Sequence, residues 1–582
     1  MNTFTFDIEC LDHGIQADAG PGFPWHGYQF IGMAHTAGDT IVYCTDEKEC
    51  LARVRQAIDR GDTLVAHNAQ YEAGWLRANG VDMRRCKIHC TKLMGKFMNN
   101  MQDTELGELG QNYLGIAKGT DNLWKELDRI GIIRVAPDFV VPNDSMSEKV
   151  RKRMQTLYSR YMNEVWAKLD YIAEAGEVVK KYCIRDVEIT DRLYRLWQQS
   201  MSVDYFNMYD EFCLLINATT ESRHRGIRVD IPGTYKVWNH LRRELVPLEL
   251  KFWAEYGYMN LNSPTQMSAY FKRHKYEPKP DLHGKPSYGA NFIKAYANDE
   301  RVQLYGKIRH FGKYISFCES IIRLEKNGRV YPEMVIMEAR TGRFSSRNPN
   351  IQQIPKRDEE LGPMLRGLFL PEAGERWLSL DYSSQEPRLQ VHYGVAIGDR
   401  SAIKLAEEYK NNPTLDLHKR VGDEMGVKKA EAKTINLGLS YMMGLDKLAA
   451  QLGVAVEHAE TLKNRYLSMF PYLRSISKYA EKKMKERGFI FTLGRRKSVN
   501  EPGWEYKALN KLIQGSAFDQ TAMAIIGCWK RGIVLLNSVH DELNASGTEE
   551  VGMEIKQLME GAVKLHVPSV AELSVGDNWN CK

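Results

Sequence analysis

The stretch LLNSVHDELNASG, residues 535–547, runs from an apolar segment into three consecutive ionisable side chains, His540, Asp541 and Glu542. Taken alone, these letters are typical of a solvent-exposed turn, because Asp and Asn hydrogen-bond their own backbone in turns. The alternative is that Asp541 stands at a strand end and holds a metal ion. That alternative requires further carboxylates elsewhere in the chain that share the ion.

An upstream segment supplies such a carboxylate. WLSLDYSS, residues 377–384, is predicted to be a strand that ends by directing Asp381 out of the sheet. Asp381 and Asp541 would then come from separate strands, an arrangement that can bridge two metal ions. Glu542 follows Asp541 directly, so on an ideal strand it faces the other way and is expected to play a supporting role.

Length and composition limit the class of protein. A chain of 582 residues is too long for one hydrophobic core and predicts about three or four units of ~100–200 residues. Its formal charge of +6 permits a polyanionic partner without requiring one. The start MNTFTFDIEC does not resemble a signal peptide, and no run of ~18 apolar residues predicts a membrane span. We therefore expect a cytoplasmic protein with no membrane partner.

The ten cysteines are mostly scattered singly, which is not typical of a disulfide framework. Cys86 and Cys90 in CKIHC lack a second ligand pair nearby, so we interpret them as structural and not as a zinc site.

The order of predicted elements indicates an α/β protein of several domains. Three apolar strands, FTFDI, TIVYC and TLVAH, precede a mostly helical segment within residues 1–200. A charge-rich helical module follows at 205–335, and a second helical region at 400–495 separates WLSLDYSS from the strand pair around VHDE. Strands separated in this way favour one sheet domain that contains a helical insertion.

The first strand carries two carboxylates on one face. Alternation places the side chains of FTFDIEC on two faces, Thr5, Asp7 and Glu9 on one and Phe4, Phe6 and Ile8 on the other. Two like charges at such a short separation repel each other unless a cation lies between them. The pair is therefore either a metal site or an exposed edge.

Two later segments favour the metal site. LVAHNAQYEAGWL at 64–76 offers Glu72 after a short strand, and KKYCIRDVEIT at 180–190 offers Tyr182 and Asp186 on one helix face. Four carboxylates and a tyrosine suit phosphodiester hydrolysis with two metal ions. The order DIE, HNAQYE, YCIRD resembles the motifs of the DnaQ-like 3′→5′ proofreading exonuclease domain.

That resemblance implies that Asp7, Glu9 and Asp186 hold the metals and that Tyr182 orients the attacking water. Glu72 would take the remaining acidic position. Aspartate is usual there, and the extra methylene of glutamate moves the carboxylate by about one C–C bond.

Residues 330–582 resemble family A DNA polymerases, the group of bacterial DNA polymerase I and many phage replicative enzymes. The resemblance rests on six ordered motifs: TGRFSSRNPNIQQIP at 341–355, DYSSQEPRLQ at 381–390, KKAEAKTINLGLSY at 428–441, TLGRRK at 492–497, NKLIQGSA at 510–517 and VHDEL at 539–543. It implies an RNase H-like exonuclease domain followed by a right-hand polymerase. The expected divisions are exonuclease 1–204, thumb 205–335, palm 336–399 and 496–582, and fingers 400–495.

The resemblance also assigns roles to side chains. Asp381 and Asp541 would hold two Mg²⁺, with Mn²⁺ as a possible substitute, and Glu542 would support them. Glu386 would fill the space that a ribose 2′-hydroxyl needs. The expected dNTP contacts are Arg366, His418, Lys429, Lys433, Leu437 and Tyr441, the last four recurring every four residues on one helix. The expected DNA contacts are Arg343, Asn350, Gln352, Asn510, Gln514 and His540.

Two positions on that helix depart from the family. Lys429 stands where arginine is expected, which keeps the charge but loses the bidentate fork. Leu437 stands where phenylalanine or tyrosine is usual, so discrimination at the sugar 3′ position does not carry over from relatives.

The resemblance implies a monomeric DNA polymerase with proofreading in phage or viral DNA replication, acting on primer–template DNA and dNTPs in the host cytoplasm. A replisome helicase, primase or processivity factor is a possible partner. Neither a 5′-nuclease domain nor a thioredoxin-binding insertion is expected. A single-subunit RNA polymerase and a DNA-binding scaffold with inactive sites are the alternatives. Glu386 disfavours the first, and the intact carboxylate set disfavours the second.

Overall fold

The computed structural model describes residues 2–23, 25–119, 176–261, 263–278, 286–356, 358–427, 429–500 and 502–581, without the side chains of Gln16, Pro264, Lys429 and Ala430. The strands are β1 (Thr3–Asp12), β2 (Tyr28–Ala37), β3 (Thr40–Cys44), β4 (Thr63–Ala66), β5 (Ile88–Cys90), β6 (Ile227–Val229), β7 (Arg329–Val330), β8 (Glu333–Val335), β9 (Ser345–Arg347), β10 (Phe369–Leu370), β11 (Arg376–Tyr382), β12 (Phe489–Phe491), β13 (Lys497–Val499), β14 (Asn537–Val539), β15 (Glu542–Gly547) and β16 (Ala571–Gly576).

The helices are α1 (His13–Gln16), α2 (Glu47–Asp59), α3 (Gln70–Ala78), α4 (Thr91–Met98), α5 (Leu106–Leu114), α6 (Gly176–Ser200), α7 (Val203–Arg225), α8 (Ile231–Tyr256), α9 (Pro264–Arg273), α10 (Ala290–Ala295), α11 (Glu300–Leu324), α12 (Leu361–Arg366), α13 (Gln385–Ala396), α14 (Arg400–Asn411), α15 (Leu417–Met425), α16 (Lys429–Leu439), α17 (Leu445–Leu452), α18 (Val456–Met469), α19 (Tyr472–Arg487), α20 (Ala508–Lys530) and α21 (Glu549–Gly561). None of these described helices combines the length and apolar character that crossing a bilayer requires.

The N-terminal sheet has the strand order β3-β2-β1-β4-β5. β1 is antiparallel to β2 and parallel to β4, so it lies at the centre. Phe4, Phe6 and Ile8 are buried, as strand alternation predicted. The opposite face is covered as well, because α6 packs against β1 and fully buried Thr5 donates a 2.8 Å hydrogen bond to Asp191.

Helix α7 joins the N-terminal sheet to the rest of the chain. It contacts α3, β5 and α20, and Tyr209, Phe212 and Ile216 share one hydrophobic core with both the N-terminal sheet and the C-terminal half of the chain. The expected boundary at 204/205 falls inside this helix. Because α7 packs with the N-terminal unit, we propose that the thumb begins after Arg225.

Helices α8 and α11 pack against each other and form the main part of the expected thumb. Each begins at an aspartate cap, because Asp230 accepts from the N–H of Gly233 and Asp299 accepts from that of Val302. Such a cap satisfies a backbone donor that the first turn leaves unpaired.

The C-terminal sheet has the order β14-β15-β11-β16 and is antiparallel throughout. The strand pair predicted around VHDE is confirmed as the β14–β15 hairpin. Its turn contains His540, whose φ of 60° is left-handed, and Asp541. Asp381 on β11 stands opposite Glu542 on β15 and Glu572 on β16.

The helices between α14 and α19 share a core that extends onto α13 and α20. Within α16, Ala432, Ile435 and Leu439 are buried while Lys433 and Leu437 are exposed. The prediction that Tyr441 lies on the same helix as Lys429, Lys433 and Leu437 is wrong, because α16 ends at Leu439 and Tyr441 lies in the following turn.

Candidate active sites

Asp381 and Asp541 meet at one end of the C-terminal sheet. The backbone N–H of Tyr382 donates to the carbonyl of Asp541 at 3.3 Å and links the two segments. Both aspartates line one open cleft. Burial, and then the charge of Asp381, raise the pKa of Asp541 to about 7. The two carboxylates therefore form an electrostatically strained pair of the kind that a cation relieves.

Glu542 is buried behind this pair and does not line either of the clefts described here. It accepts hydrogen bonds from Trp579, Asn544 and Lys356. Burial alone would lower the pKa of Lys356, but the charges of Glu542 and Asp381 raise it. These contacts agree with the supporting role expected for Glu542.

Glu386 lies in the first turn of α13 with both carboxylate oxygens engaged. Arg343 Nη2 donates to Oε1 at 2.5 Å, and the hydroxyl of Tyr441 donates to Oε2 at 2.5 Å. Burial and the charge of Glu386 raise the pKa of Tyr441. An adjoining open cleft brings together the predicted residues Arg343, Gln352, Glu386, Leu437, Tyr441, Gln514, His540 and Asp541.

His418 lines the first cleft together with Glu386 and Leu437. Its Nδ1 lies 2.8 Å from Nδ2 of Asn436, which is a donor, so Nδ1 accepts and the proton of the neutral ring lies on Nε2. The hydroxyl of Tyr466 donates to Oδ1 of Asn436 at 2.8 Å and fixes the orientation of that amide. Asn436 orients His418 and was not identified from the sequence.

Other predicted contacts lie outside these clefts. Arg366 is 5% exposed, with its guanidinium 4.5 Å from the centre of the Trp579 ring, and lines neither cleft, so its contact with dNTP stays a prediction. Lys433 is exposed on α16, and the side chain of Lys429 lies outside the described part of the chain. Asn510, one turn before Gln514, and Asn350 are half-buried and line neither cleft.

The four predicted carboxylates of the N-terminal unit also converge. Ligand atoms of Asp7, Glu9 and Cys183 all lie within 4.8 Å of one another. Burial and then Asp186 raise the pKa of Asp7 to about 7, and burial raises that of Asp186 to about 6. The pKa of Glu72, which is 3% exposed on α3, is raised by burial and by Asp7.

Lys118 is a member of this group that the sequence did not reveal. Its Nζ lies 2.8 Å from Oδ2 of Asp186 and 4.9 Å from the centre of the Tyr182 ring. Burial would lower the pKa of Lys118, but Tyr182 and Asp186 raise it. The positive charge of Lys118 therefore partly offsets the negative charges of the four crowded carboxylates.

The residues present fit divalent cations at both places. Glu72 Oε2 and Asp186 Oδ1 are buried without a hydrogen-bond partner among the described residues, so they offer lone pairs to an ion. Clustered carboxylate oxygens are the ligands that Mg²⁺ and Mn²⁺ prefer. Asp381 and Asp541 supply the same chemistry beside an open cleft.

Comparison with known proteins gives a consistent result. The profile of DNA polymerase family A matches residues 234–581. A DNA-directed DNA polymerase of Pseudomonas phage M6 is 33% identical over 286 residues, covering 41% of this chain and 43% of the relative. The thermostable DNA polymerase I of Thermus caldophilus is 30% identical over 391 residues, covering 61% and 46%. The chain thus spans about half the length of these curated relatives.

Two further similarities extend over more of the chain. DNA polymerase DpoZ of Acinetobacter phage SH-Ab 15497 is 25% identical over 568 residues, covering 85% of this chain and 84% of the relative. The POL domain of Pol1 from M. smegmatis, solved in complex with DNA primer-template and dNTP, has a TM-score of 0.77 at 19% identity and covers 100% of this chain and 96% of that chain. This last similarity confirms the multi-domain α/β polymerase fold.

Proposed function

The chain belongs to DNA polymerase family A, and from this premise we propose that it extends a DNA primer on a DNA template. The observation that carries the proposal is the meeting of Asp381, Asp541 and Glu386 at one cleft. Primer–template DNA and dNTPs are the proposed partners, as in the complex of the similar M. smegmatis domain. The phage polymerases among its relatives support a role in phage DNA replication.

The chain's own residues suit this reaction. Asp381 and Asp541 would hold magnesium, which when bound activates the primer 3′-hydroxyl and neutralises the triphosphate. His418 carries its proton on Nε2 and can donate it in a hydrogen bond to a phosphate oxygen. Glu386 is fixed from both sides by Arg343 and Tyr441, and so held it would exclude a 2′-hydroxyl from a nucleotide bound in the cleft.

The adjoining cleft offers donors that suit contact with the duplex. Arg343, Gln352 and Gln514 line it, and every correct base pair presents acceptors in the minor groove. Donors placed there test pairing without reading sequence. We propose that these side chains check the primer end.

Single-nucleotide extension tests the polymerase proposal. The expected result is incorporation of only the dNTP complementary to the template, lost in Asp541→Asn and retained in Asp577→Asn. Asp577 is the matched control because its side chain is 88% exposed. Incorporation of NTPs in preference to dNTPs would favour the RNA polymerase alternative, and extension by Asp541→Asn would contradict the assignment.

We propose a second activity, 3′→5′ exonuclease, for the N-terminal carboxylates. It is supported by the cluster of Asp7, Glu9 and Cys183, by the charge of Asp186 acting on Asp7 and that of Asp7 acting on Glu72. Two carboxylate oxygens, on Glu72 and Asp186, are also left without partners among the described residues. Magnesium held there would activate water and stabilise the leaving oxygen. Tyr182, beside Asp186 on α6, can hold the attacking water by its hydroxyl.

Degradation of a 5′-labelled single strand tests this activity. Wild type should shorten the strand from its 3′ end, and Glu9→Gln should not. Glu177→Gln is the control, since that side chain lies on α6 but is 76% exposed. Shortening that persists in Glu9→Gln would contradict the proposed exonuclease site.

A further inference from the structure

A lysine lies between two carboxylates of the C-terminal sheet. Lys356 Nζ is 2.8 Å from Oδ2 of Asp381 and 3.1 Å from Oε2 of Glu542. It follows the strand β9 and the short helical turn Ile351–Gln353, so it reaches the sheet from a separate segment. One ammonium thus binds the acids of two adjacent strands at the same time.

Glu542 is the fixed end of this contact. Its other oxygen, Oε1, accepts from Trp579 Nε1 at 2.8 Å and from Asn544 Nδ2 at 3.0 Å. Trp579 is fully buried and stacks on Trp377 with ring centres 5.8 Å apart. The side chain of Glu542 is only 3% exposed, so these donors hold it in one orientation.

Asn544 is itself held in place. Its Nδ2 also donates to Oδ1 of Asn537 at 2.8 Å, and its Oδ1 accepts from Trp377 Nε1 at 2.8 Å. Hydrogen bonds on both sides of its amide hold Asn544 in one orientation, and Asn544 in turn helps to fix Glu542. Glu542 is therefore part of the rigid sheet.

Asp381 is the exchangeable end. Its side chain is 26% exposed and lines the open cleft beside Asp541, while the side chain of Lys356 is 47% exposed. Ion pairs that water reaches contribute little free energy and break readily. A divalent cation entering the cleft can therefore replace the ammonium at Asp381 without disturbing Glu542.

We propose that Lys356 is a tethered counter-ion of this site, which holds Asp381 until a divalent cation displaces it and then remains on Glu542. Glu542 is thus the anchor of Lys356 and not a metal ligand. The proposal rests on the proposed polymerase function in one respect, the assignment of Asp381 and Asp541 as metal ligands. It makes Lys356 a positioning residue that sets the affinity of the site for metal.

The charges predict opposite effects for the two partners. Without Lys356, Asp381 and Glu542 repel each other and the site attracts a cation more strongly. Without the charge of Glu542, Lys356 is left with Asp381 alone and competes better with the cation. Removing both charges therefore restores the balance.

Binding of Mn²⁺, measured without DNA or nucleotide from the free-ion EPR signal, tests the proposal. The full chain is used with Asp7→Asn and Glu9→Gln, so that the N-terminal carboxylates do not add to the signal. We expect about fivefold tighter binding in Lys356→Met, about fivefold weaker binding in Glu542→Gln, and a value near the parent in the double variant. Lys356→Arg keeps the charge and is the matched control, expected to bind like the parent.

Two results would overturn the proposal. One is unchanged affinity in Lys356→Met, and the other is a double variant that binds as weakly as Glu542→Gln, which is the result for a direct ligand. Circular dichroism shows that each variant is folded, so that a change in affinity reports on the site. Primer extension measured in parallel distinguishes a failure of this proposal from a failure of the proposed polymerase function. Affinities in the expected order without extension would contradict the polymerase proposal alone, and normal extension with unchanged affinities would contradict the role of Lys356 alone.

Discussion

The hydroxyl of Tyr441 donates a 2.5 Å hydrogen bond to Oε2 of Glu386. Tyr441 lies just past the end of α16 and Glu386 lies in the first turn of α13, so this bond connects the two helices across the cleft. Arg343 occupies the other oxygen of the same carboxylate. Glu386 is therefore held in place before any nucleotide binds.

This arrangement predicts that Glu386 sets sugar selectivity. Glu386→Ala removes the volume beside the sugar, and we expect the preference for dATP over ATP, as a ratio of kcat/KM, to fall about 10- to 100-fold. Glu386→Gln keeps the shape of the side chain and should retain most of the preference. Single-nucleotide incorporation with each substrate measures it, and an unchanged ratio in Glu386→Ala would refute the steric role.

Lys118 is predicted to be required for exonuclease activity. Lys118→Met leaves Asp186 without its ammonium partner and Tyr182 without its neighbour, so the rate of single-strand degradation should fall at least about tenfold. Lys118→Arg should retain part of the activity, because it keeps the charge. Lys180→Met is the control, because the ion-pair partner of this lysine among the described residues is the exposed Glu177. Equal rates in Lys118→Met and Lys180→Met would exclude a role for Lys118.

The buried ion pair between Arg496 and Asp519 is predicted to be important for stability. Arg496 Nε lies 2.5 Å from Oδ1 of Asp519, and the two side chains are 2% and 0% exposed. Asp519→Ala leaves a buried guanidinium without its counter-charge and should cost about 3–5 kcal/mol.

The exposed pair of Arg531 and Glu554 provides the comparison, since Glu554→Ala should cost about 0–1 kcal/mol. Urea unfolding of both variants measures the difference. Similar midpoints for the two variants would show that burial does not set the contribution of the Arg496–Asp519 pair.

The half-buried His392 is expected to lower the free energy of unfolding in mild acid. Burial, and then His566, lower the pKa of His392 to about 4, and its Nδ1 accepts from the backbone N–H of His566 at 3.1 Å. In the unfolded chain the pKa is about 6.5, so the unfolded state binds the extra proton between these two values. The stability contribution is therefore complete above about pH 6.5 and is lost as the pH falls towards 4.

His392→Gln removes this titration but can still accept the hydrogen bond. Between pH 7 and 5 the wild type should lose about 1–2 kcal/mol more than the variant, as measured by urea unfolding at each pH. Parallel pH curves for the two proteins would rule out the assignment.

Local patterns predicted the strands and acids that positioned the sites. The burial of Phe4, Phe6 and Ile8 could be predicted from the two-residue repeat of a strand alone, and the structure confirms that these side chains are buried. The strand ending near Asp381 and the hairpin around Asp541 were likewise readable. The left-handed backbone conformation of His540 could not be predicted, because the sequence does not show which residue of a tight turn takes a positive φ.

Features that depend on distant partners were not predictable from one sequence. Lys118 meets Asp186 and Lys356 meets Glu542 through the fold, with nothing in their own segments to mark them.

Strand β2 was missed because Gly32, His35 and Thr36 interrupt its apolar residues. The end of α16 before Tyr441 was missed because the spacing of four residues continues past the last helical turn.

We propose that this one chain holds two separate carboxylate sites, one for synthesis and one for degradation. One assay tests it most directly: a 5′-labelled primer–template incubated with Mg²⁺, with and without dNTPs, for wild type, Asp541→Ala and Asp7→Ala. We predict that Asp541→Ala shortens the primer but does not extend it, and that Asp7→Ala extends it but does not shorten it when dNTPs are absent. Extension by Asp541→Ala, or loss of both activities in either single variant with the fold intact, would contradict the claim.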